Sequence, residues 1–304
     1  MATAYETKLK ELFDANPSLI CMTAENRATI RELAGWIPER FIDTGITEQT
    51  MVGAAAGLAL RGRRPILHAL AAFLTMRSFE FIRTDLGIAS LPVTLVGFVP
   101  GFLSDGNGPT HQAIEDVSLM RGIPSMRVFC PADETELLAG LESTLSQDGP
   151  VYLRYNARPR ALPAPKPFEY GKAECLSEGT DVTVLTYGMM ATEAWEATQL
   201  LKEEGLSVRF LNMRTLAPVD EAAIVSASKE TKLLVTVEDH FVTGGLASIC
   251  SEVMVRHQQM APLYPIGLDG RWFRPGLLKE VLEYEGFTGP HLARRILNRW
   301  KEGQ

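Results

Sequence analysis

The stretch FIDTGITEQTMVGAAAGLALRG, residues 41–62, decides the fold of this chain. Its first two residues are apolar and end a strand, a turn follows at residues 43–45, and a helix begins at Thr47 and Glu48. Thr47 suits the N-cap position, and a glutamate in the first turn complements the positive end of the helix dipole. Gly62 is placed to end the helix. A strand that turns directly into a helix is the repeating unit of an α/β fold.

Glu48 has two interpretations. The first is that it is simply an acid favoured at the start of a helix. The second follows from the small residues at 54–57 (AAAG), which let another helix, from a second chain, approach closely. A carboxyl group at the mouth of such a contact loses solvation. That environment suits a group that shares a proton with a nitrogen atom of a ligand, so the small residues weaken the first interpretation.

The composition is that of an ordinary globular protein. The chain has 304 residues, of which 46% are hydrophobic and 22% charged, and this length allows two domains. A net charge of −7 without a large basic cluster argues against a nucleic-acid partner. We expect no membrane partner and no signal peptide, because no sufficiently long apolar run is present. The four cysteines are widely spaced, so we expect reduced thiols in a cytoplasmic protein. The scattered histidines predict no metal site built by this chain alone.

Strand-like and helix-like segments alternate along the whole chain, which predicts parallel α/β sheets. Residues 91–99 (LPVTLVGFV) form an apolar run typical of a strand buried on both faces. A proline-rich stretch then separates two α/β units and predicts a stiff linker. We therefore predict two doubly wound α/β domains, at residues 1–156 and 171–304, joined by a linker at residues 157–170.

The segment at residues 73–86 is predicted to be a helix. Phe73, Met76 and Phe79 recur at spacings of three and share one side of that helix. Apolar residues at helical spacing usually face the core. The residues alone favour this interpretation, and the alternative is an apolar slot for the ring of a ligand.

A glycine-rich loop, PGFLSDGNGPT at residues 100–110, follows the apolar run, and His111 comes directly after it. Proteins of the α/β class place ligands in loops that follow such strands. A lone histidine is usually structural, but one in this position is placed to meet a ligand and move protons. We predict that residues 111–121 continue as a helix.

Two motifs, GITEQ at residues 45–49 and GPTHQAIED at residues 108–116, flank the aromatic segment and the loop. Together they resemble the pyrimidine-binding domain of the transketolase family of thiamine-diphosphate enzymes. Residues 179–194 and 218–220 resemble the C-terminal domain of the same family. The resemblance covers nearly the whole chain, and it implies a transferase that moves a two-carbon ketol unit between sugars or sugar phosphates.

The resemblance also implies roles for individual residues. Glu48 would engage the aminopyrimidine ring of the cofactor and activate it, and His111 would transfer protons at the substrate. The residues implied to line the cofactor ring pocket are Glu48, Ile46, Phe73, Met76 and Phe79. The residues implied to contact the substrate are His111, Asn107, Glu25, Arg154 and Arg158. For the two arginines, an exposed position in a surface turn is the alternative.

A full transketolase carries a further domain, with a GDG motif, that binds the cofactor diphosphate through a metal. The sequence contains no GDG. The resemblance therefore implies the second subunit of a split transketolase, in which a partner chain binds the diphosphate and Mg²⁺. We also expect this chain to associate with itself through the small-residue helix, giving an α2β2 assembly.

Three short stretches depart from the family pattern at the sugar end of the pocket. Asn107 stands where an aspartate is common, FVPG at residues 98–101 replaces a His-Asp-Ser sequence, and AEN at residues 24–26 replaces Ala-Asp-Leu. These departures leave the identity of the sugars open.

Three other functions compete with a transketolase subunit. The beta subunit of a 2-oxo acid dehydrogenase shares the domain order, but the motif after GPT argues against it. A deoxyxylulose-phosphate-synthase-like subunit is a nearer relative. A non-catalytic assembly subunit is the third, and the joint presence of Glu48, Phe73 and His111 argues against it.

Overall fold

The computed structural model describes residues 2–303, which form two open sheets flanked by helices. The strands are β1 (Leu19–Thr23), β2 (Phe41–Asp43), β3 (Arg64–Leu70), β4 (Thr94–Phe98), β5 (Arg127–Phe129), β6 (Val151–Arg154), β7 (Glu174–Ser177), β8 (Val182–Thr186), β9 (Val208–Asn212), β10 (Thr215–Ala217), β11 (Leu233–Phe241) and β12 (Leu263–Leu268). The helices are α1 (Ala4–Ala15), α2 (Leu33–Trp36), α3 (Glu48–Leu60), α4 (Phe79–Phe81), α5 (Asp116–Arg121), α6 (Glu134–Leu145), α7 (Met190–Glu203), α8 (Glu221–Glu230), α9 (Leu246–Arg256), α10 (Leu278–Glu285) and α11 (Gly289–Glu302). Within residues 2–303, no helix is both long and apolar enough to span a membrane.

The first sheet has the order β10-β5-β6-β4-β3-β1-β2, and the second has the order β12-β11-β8-β9-β7. Neighbouring strands are parallel except at one edge of each sheet, where β10 pairs with β5 and β7 pairs with β9 in antiparallel fashion. Every residue of β4, at the centre of the first sheet, is buried, as the apolar run predicted. The structure confirms the predicted fold class of two doubly wound α/β units.

The short strand β10 was missed by the sequence analysis, and it joins the two halves of the chain. It belongs to the second half but pairs at the edge of the first sheet, with Thr215 opposite Phe129. The proposed division into 1–156, 157–170 and 171–304 stays a prediction, and its outer limits at residues 1 and 304 lie outside the described residues. The shared sheet makes the contact between the halves extensive.

The predicted helix at residues 73–86 is wrong in its type. The chain forms a π-helical turn at Phe73–Arg77, then α4, then a second π-helical turn at Ile82–Gly87. A π turn holds more residues than an α turn, so spacings of three no longer keep side chains on one side. Phe73 and Met76 pack around a small alanine cluster, whereas Phe79 packs on the main core of the first half. The predicted helix at residues 111–121 also forms only from Asp116 onward.

Buried charges link the two halves. The guanidinium of Arg154 lies 2.9 Å from Asp116 and 2.6 Å from Asp239, and all three side chains are buried. A second buried arginine, Arg214, bridges Glu136 and Glu174 at 2.7 Å each. These residues come from both halves, so the ion pairs fix how the halves meet.

Two buried glutamates should make the stability depend on pH. Burial raises the pKa of Glu136 to about 7 and that of Glu238 to about 8, although hydrogen bonds to each carboxylate act in the opposite direction. Between the ordinary glutamate pKa and these raised values, the folded chain therefore binds more protons than the unfolded chain. Stability is then lost as the pH rises through the raised pKa values. Burial lowers the pKa values of His68 and His240, which makes the stability rise with pH instead. This rise takes place up to the ordinary histidine pKa of about 6.5 and is over at higher pH.

We predict that the free energy of unfolding falls as the pH rises from about 6.5 to about 8.5, by up to roughly 1.4 kcal/mol per pH unit for each proton released. Urea unfolding at several pH values measures this slope. Glu238→Gln should flatten the slope, and Glu39→Gln, which changes an exposed glutamate, should leave it unaltered. A slope that Glu238→Gln leaves unchanged would show that this carboxyl group does not titrate in the range.

Candidate active site

A cavity of about 440 Å³ opens where the first three strands of the chain end. Its walls come from the residues that follow β1, from the turn after β2 and from the end of β3. These residues are Ala24, Glu25, Asn26, Arg27, Ala28, Arg31, Ile46, Glu48, Leu70 and Phe73. The cavity thus lies at the carboxyl ends of parallel strands, where open α/β sheets bind ligands.

Glu48 is the first residue of α3 and is the buried acid of this cavity, with 1% of its surface exposed. Thr47 occupies the N-cap position, but its hydroxyl donates to the Thr44 carbonyl at 2.9 Å and does not cap the helix. One carboxylate oxygen of Glu48, Oε2, accepts a hydrogen bond from Arg77 Nη1 at 2.8 Å. Among the described residues, none donates a hydrogen bond to the other oxygen, Oε1. That oxygen is available to a ligand.

Arg77 is the residue that sequence reasoning missed. Its guanidinium carbon lies 4.2 Å from the centre of the Phe73 ring, and its side chain is 38% exposed. The Phe73 ring in turn meets the His111 ring edge to face, with centroids 4.9 Å apart. Glu48, Arg77, Phe73 and His111 therefore form one continuous row of contacts. The sequence shows only that a positively charged residue lies four positions after Phe73. In the regular helix predicted there, this position does not point to a contact with Glu48.

The other residues predicted to hold the cofactor lie in different places in the structure. Ile46 lines the cavity and is 66% exposed. Met76 lies beside Phe73 on the alanine cluster and does not line the cavity. Phe79 packs against the main core and does not line the cavity, and its place in a ring pocket stays a prediction. The change of helix type at residues 73–77 is the physical reason for both differences.

A second cavity, of about 510 Å³, adjoins the first. The two share Asn26, Ala28 and Leu70. The second is more apolar, with Phe98, Leu103 and Tyr155 in its wall, and it is also lined by Arg158. The Nη1 atom of Arg158 is buried and has no hydrogen-bond partner in the part of the chain that the structure describes.

The residues predicted to contact the substrate do not lie together in one cavity. Glu25 lines the first cavity, with a left-handed backbone at φ 61°, and Arg158 lines the second. Asn107 is exposed in the glycine-rich loop. Arg154 is 2% exposed and already bound by two aspartates, so the prediction that it contacts substrate is wrong and its role is structural. A guanidinium held in this way has no free face for a phosphate.

Comparison with known families covers both halves of the chain. The family described as "Transketolase, pyrimidine binding domain" matches residues 1–159, and "Transketolase, C-terminal domain" matches residues 171–292. The chain belongs to the transketolase family. This confirms the resemblance read from the GITEQ and GPTHQ motifs, and members of the family use thiamine diphosphate.

Individual transketolase relatives agree with this assignment. The chain is 35% identical over 294 residues to 6-deoxy-6-sulfo-D-fructose transketolase subunit SqwH of Clostridium sp. (strain MSTE9), covering 95% of this chain and 91% of that protein. It is 33% identical to 1-deoxy-D-xylulose-5-phosphate synthase of Synechococcus sp. (strain RCC307), covering 87% of this chain but 42% of the synthase. A solved split-gene transketolase, described as an inactive beta4 tetramer, superimposes with a TM-score of 0.88 at 32% identity, covering 98% of this chain and 97% of that chain.

The cavity fits the pyrimidine end of the family's cofactor. It offers a buried carboxylate with a free oxygen, which can bind a ring nitrogen, and the apolar walls of Phe73 and Leu70, which can pack on a ring. Among residues 2–303, no group of three or more histidine, cysteine or acidic side chains is arranged to hold a metal ion. Glu48, Phe73 and Leu70 therefore fit the pyrimidine ring of the cofactor.

Proposed function

We propose that this chain is the subunit of a thiamine-diphosphate-dependent transketolase that binds the aminopyrimidine ring, and that it acts together with a partner subunit. The observation that carries the proposal is the buried Glu48 carboxylate at the start of α3, beside Phe73 and open to the cavity. When bound, thiamine diphosphate supplies the nucleophilic carbon that accepts the ketol unit.

The side chains of this chain would orient the cofactor ring and hold the proton that it shares with Glu48. Glu48 would hold a proton between Oε1 and a nitrogen of the ring, in a site from which water is largely excluded. Phe73 would pack against the ring, and Ile46 would cover it from the exposed side. Arg77 would hold the other oxygen of Glu48 and so fix the orientation of the carboxylate. Met76, which packs beside Phe73, stays a predicted neighbour of the ring, as does Phe79.

The adjoining cavity is proposed as the place of the substrate, a sugar or sugar phosphate. His111, next to Phe73, would transfer protons at the substrate carbonyl and hydroxyls. The unpaired Nη1 of Arg158 is suited to an anionic group at the far end of the substrate. Glu25, in the wall of the first cavity, and Asn107, exposed in the glycine-rich loop, stay predicted contacts of the sugar.

Relatives support a partner chain and self-association. SqwH is named as a subunit, and the split-gene transketolase with similar structure is described as an inactive tetramer of beta chains. We propose that a separate N-terminal subunit binds the diphosphate and Mg²⁺. Ala54, Gly57 and Leu60 of α3 are exposed, so this face is suited to the self-contact of an α2β2 assembly.

A synthase of the deoxyxylulose phosphate type is the second candidate. The similarity to such synthases covers most of this chain, although the chain spans less than half of their length. The two activities share the proposed roles of Glu48 and His111, so product analysis must distinguish them.

Calorimetry with thiamine diphosphate and Mg²⁺ tests the proposal. We predict tight binding when this chain is mixed with a candidate N-terminal subunit and no measurable binding to this chain alone, because it would contact only the pyrimidine end. A mixture that binds should then be assayed for ketol transfer from fructose 6-phosphate to ribose 5-phosphate. Tight binding by the chain alone would contradict the proposed division of the cofactor site.

A further inference from the structure

The glycine-rich loop, here residues 100–115, is packed as a part of the second half of the chain. It leaves the first sheet after β4, but the buried ring of Phe102 lies in the hydrophobic core of the second half. This ring meets Phe273 and Phe287 edge to face, with centroids 5.1 Å and 4.9 Å away. The position of the loop therefore depends on residues more than 150 positions later in the chain.

The first polar anchor of the loop is Asp239. Its buried carboxylate accepts a hydrogen bond from the backbone N–H of Phe102 at 3.3 Å and also binds Arg154. The close approach requires Gly101, which has a left-handed backbone at φ 56°. A Cβ atom at that position would lie 1.8 Å from Asp239 Oδ2. Any other residue would force the loop away from its anchor.

Asp105 is the second anchor and lies before the histidine. Its backbone carbonyl accepts from the N–H of Gly276 at 3.1 Å, and its carboxylate accepts from the N–H of Leu278 at 3.0 Å. Leu278 is the first residue of α10, where free N–H groups and the helix dipole both favour a carboxylate.

The third anchor follows the histidine. The side-chain amide of Gln112 is buried and donates to the Phe273 carbonyl at 2.9 Å. Two residues later, the carbonyl of Ile114 accepts from the N–H of Phe241 at 2.8 Å. The second half thus holds the loop on both sides of His111.

We propose that the second half of this chain positions His111, with Asp105 and Gln112 as positioning residues that act through the loop backbone. The inference rests on the proposed role of His111 in proton transfer. The carbonyl of His111 accepts a hydrogen bond from Ser104 at 2.7 Å, so its backbone moves with the anchored loop. Nδ1 of its ring lies 2.9 Å from the Thr110 hydroxyl of the same loop, and the ring meets Phe73 only by an edge-to-face contact. The loop therefore sets the distance between the histidine and the cofactor site.

Hydrogen exchange of the full chain, measured by mass spectrometry on peptides that cover residues 100–115, tests the anchor directly. Asp105→Ala should speed exchange in these peptides roughly ten-fold, because a charge-assisted hydrogen bond is lost. Asp105→Asn keeps an oxygen that accepts from Leu278, so it should restore most of the protection. Asp269→Ala is the matched control. Asp269 also precedes a glycine, but it is exposed and its side chain makes no hydrogen bond among residues 2–303.

Kinetics of the enzyme assembled with its partner separate positioning from general stability. Asp105→Ala should lower kcat roughly ten-fold, because a small misplacement of a proton-transfer group is costly. Its affinity for thiamine diphosphate should be unchanged, since Glu48 and Phe73 are not altered. Gln112→Met tests the other anchor, with the same expected result, should Asp105→Ala fail to fold.

The outcomes distinguish the positioning role of Asp105 and Gln112 from the proposed proton-transfer role of His111. Unchanged loop exchange and unchanged kcat in Asp105→Ala would overturn the positioning role. Full turnover by His111→Ala would instead overturn the proposed role of the histidine, and with it the catalytic purpose of the anchors. In that case the exchange data would still decide whether the second half holds the loop.

Discussion

Replacing Glu48 by glutamine is expected to reduce turnover of the assembled enzyme by roughly 10²- to 10⁴-fold, the range typical of a lost proton-transfer group. The glutamine side chain has the same size and keeps an oxygen that can accept from Arg77. It cannot take up and release a proton in the way that a carboxyl group does. The fold should therefore survive while cofactor activation is lost. Initial rates at saturating thiamine diphosphate measure the effect, and circular dichroism with thermal melting checks the fold.

Glu221→Gln provides a matched control. Glu221 is likewise the first residue of a helix, α8, and likewise pairs with an arginine, Arg256. It lies on the surface of the second half, away from both cavities. If helix-dipole or ion-pair effects alone explained the loss in Glu48→Gln, the control would show a comparable loss. Turnover near that of the parent enzyme in Glu48→Gln would contradict the assignment of Glu48 as the activating acid.

The position of Glu48 could be predicted because its signals are local. A strand end, a tight turn and a helix start lie within eight residues, and each has a physical preference for the residue types found there. The places of Phe73 and His111 could be predicted for a related reason, since Phe73 follows closely on β3 and His111 ends the loop that follows β4. Parallel strands bring their carboxyl ends to one edge, so these separate local signals meet in space.

The details that depend on packing could not be predicted. The π-helical turn at Phe73–Arg77 has no simple sequence pattern, and it moves Phe79 to the core while bringing Arg77 onto Glu48. The three-residue strand β10 is too short to show periodicity, and its partner strand lies more than 80 residues away. Its place at a sheet edge is decided by tertiary contact.

The buried position of the charged residue Arg154 likewise could not be predicted from the sequence. From its position at the end of a strand, a contact with substrate phosphate and a surface turn were the available interpretations. Both failed because the aspartates that surround it, Asp116 and Asp239, come from elements distant in sequence. A buried ion pair leaves no periodic signal in the sequence, and only the folded structure reveals it.

Arg154→Met is expected to lower the free energy of unfolding by about 3–5 kcal/mol, because it leaves two buried carboxylates without their counter-ion. Arg154 is almost fully buried, so solvent screening does not reduce this figure. The methionine fills a similar volume, and the loss therefore reports the missing charge more than a cavity. Urea unfolding of the full chain measures the change. A loss below about 1 kcal/mol would contradict the structural role assigned to Arg154.

Two comparisons show whether the lost stability comes from the unpaired acids. Arg256→Met removes an arginine from an exposed ion pair with Glu221 and should cost roughly 0–1 kcal/mol. Adding Asp116→Asn and Asp239→Asn to Arg154→Met should recover part of the stability, since the buried charges are then removed together. Burial raises the pKa of Asp239, and Arg154 acts to lower it. Without the arginine, the folded chain holds this proton to higher pH than the unfolded chain does. The loss in Arg154→Met should therefore grow as the pH rises, and a loss independent of pH would point to packing alone.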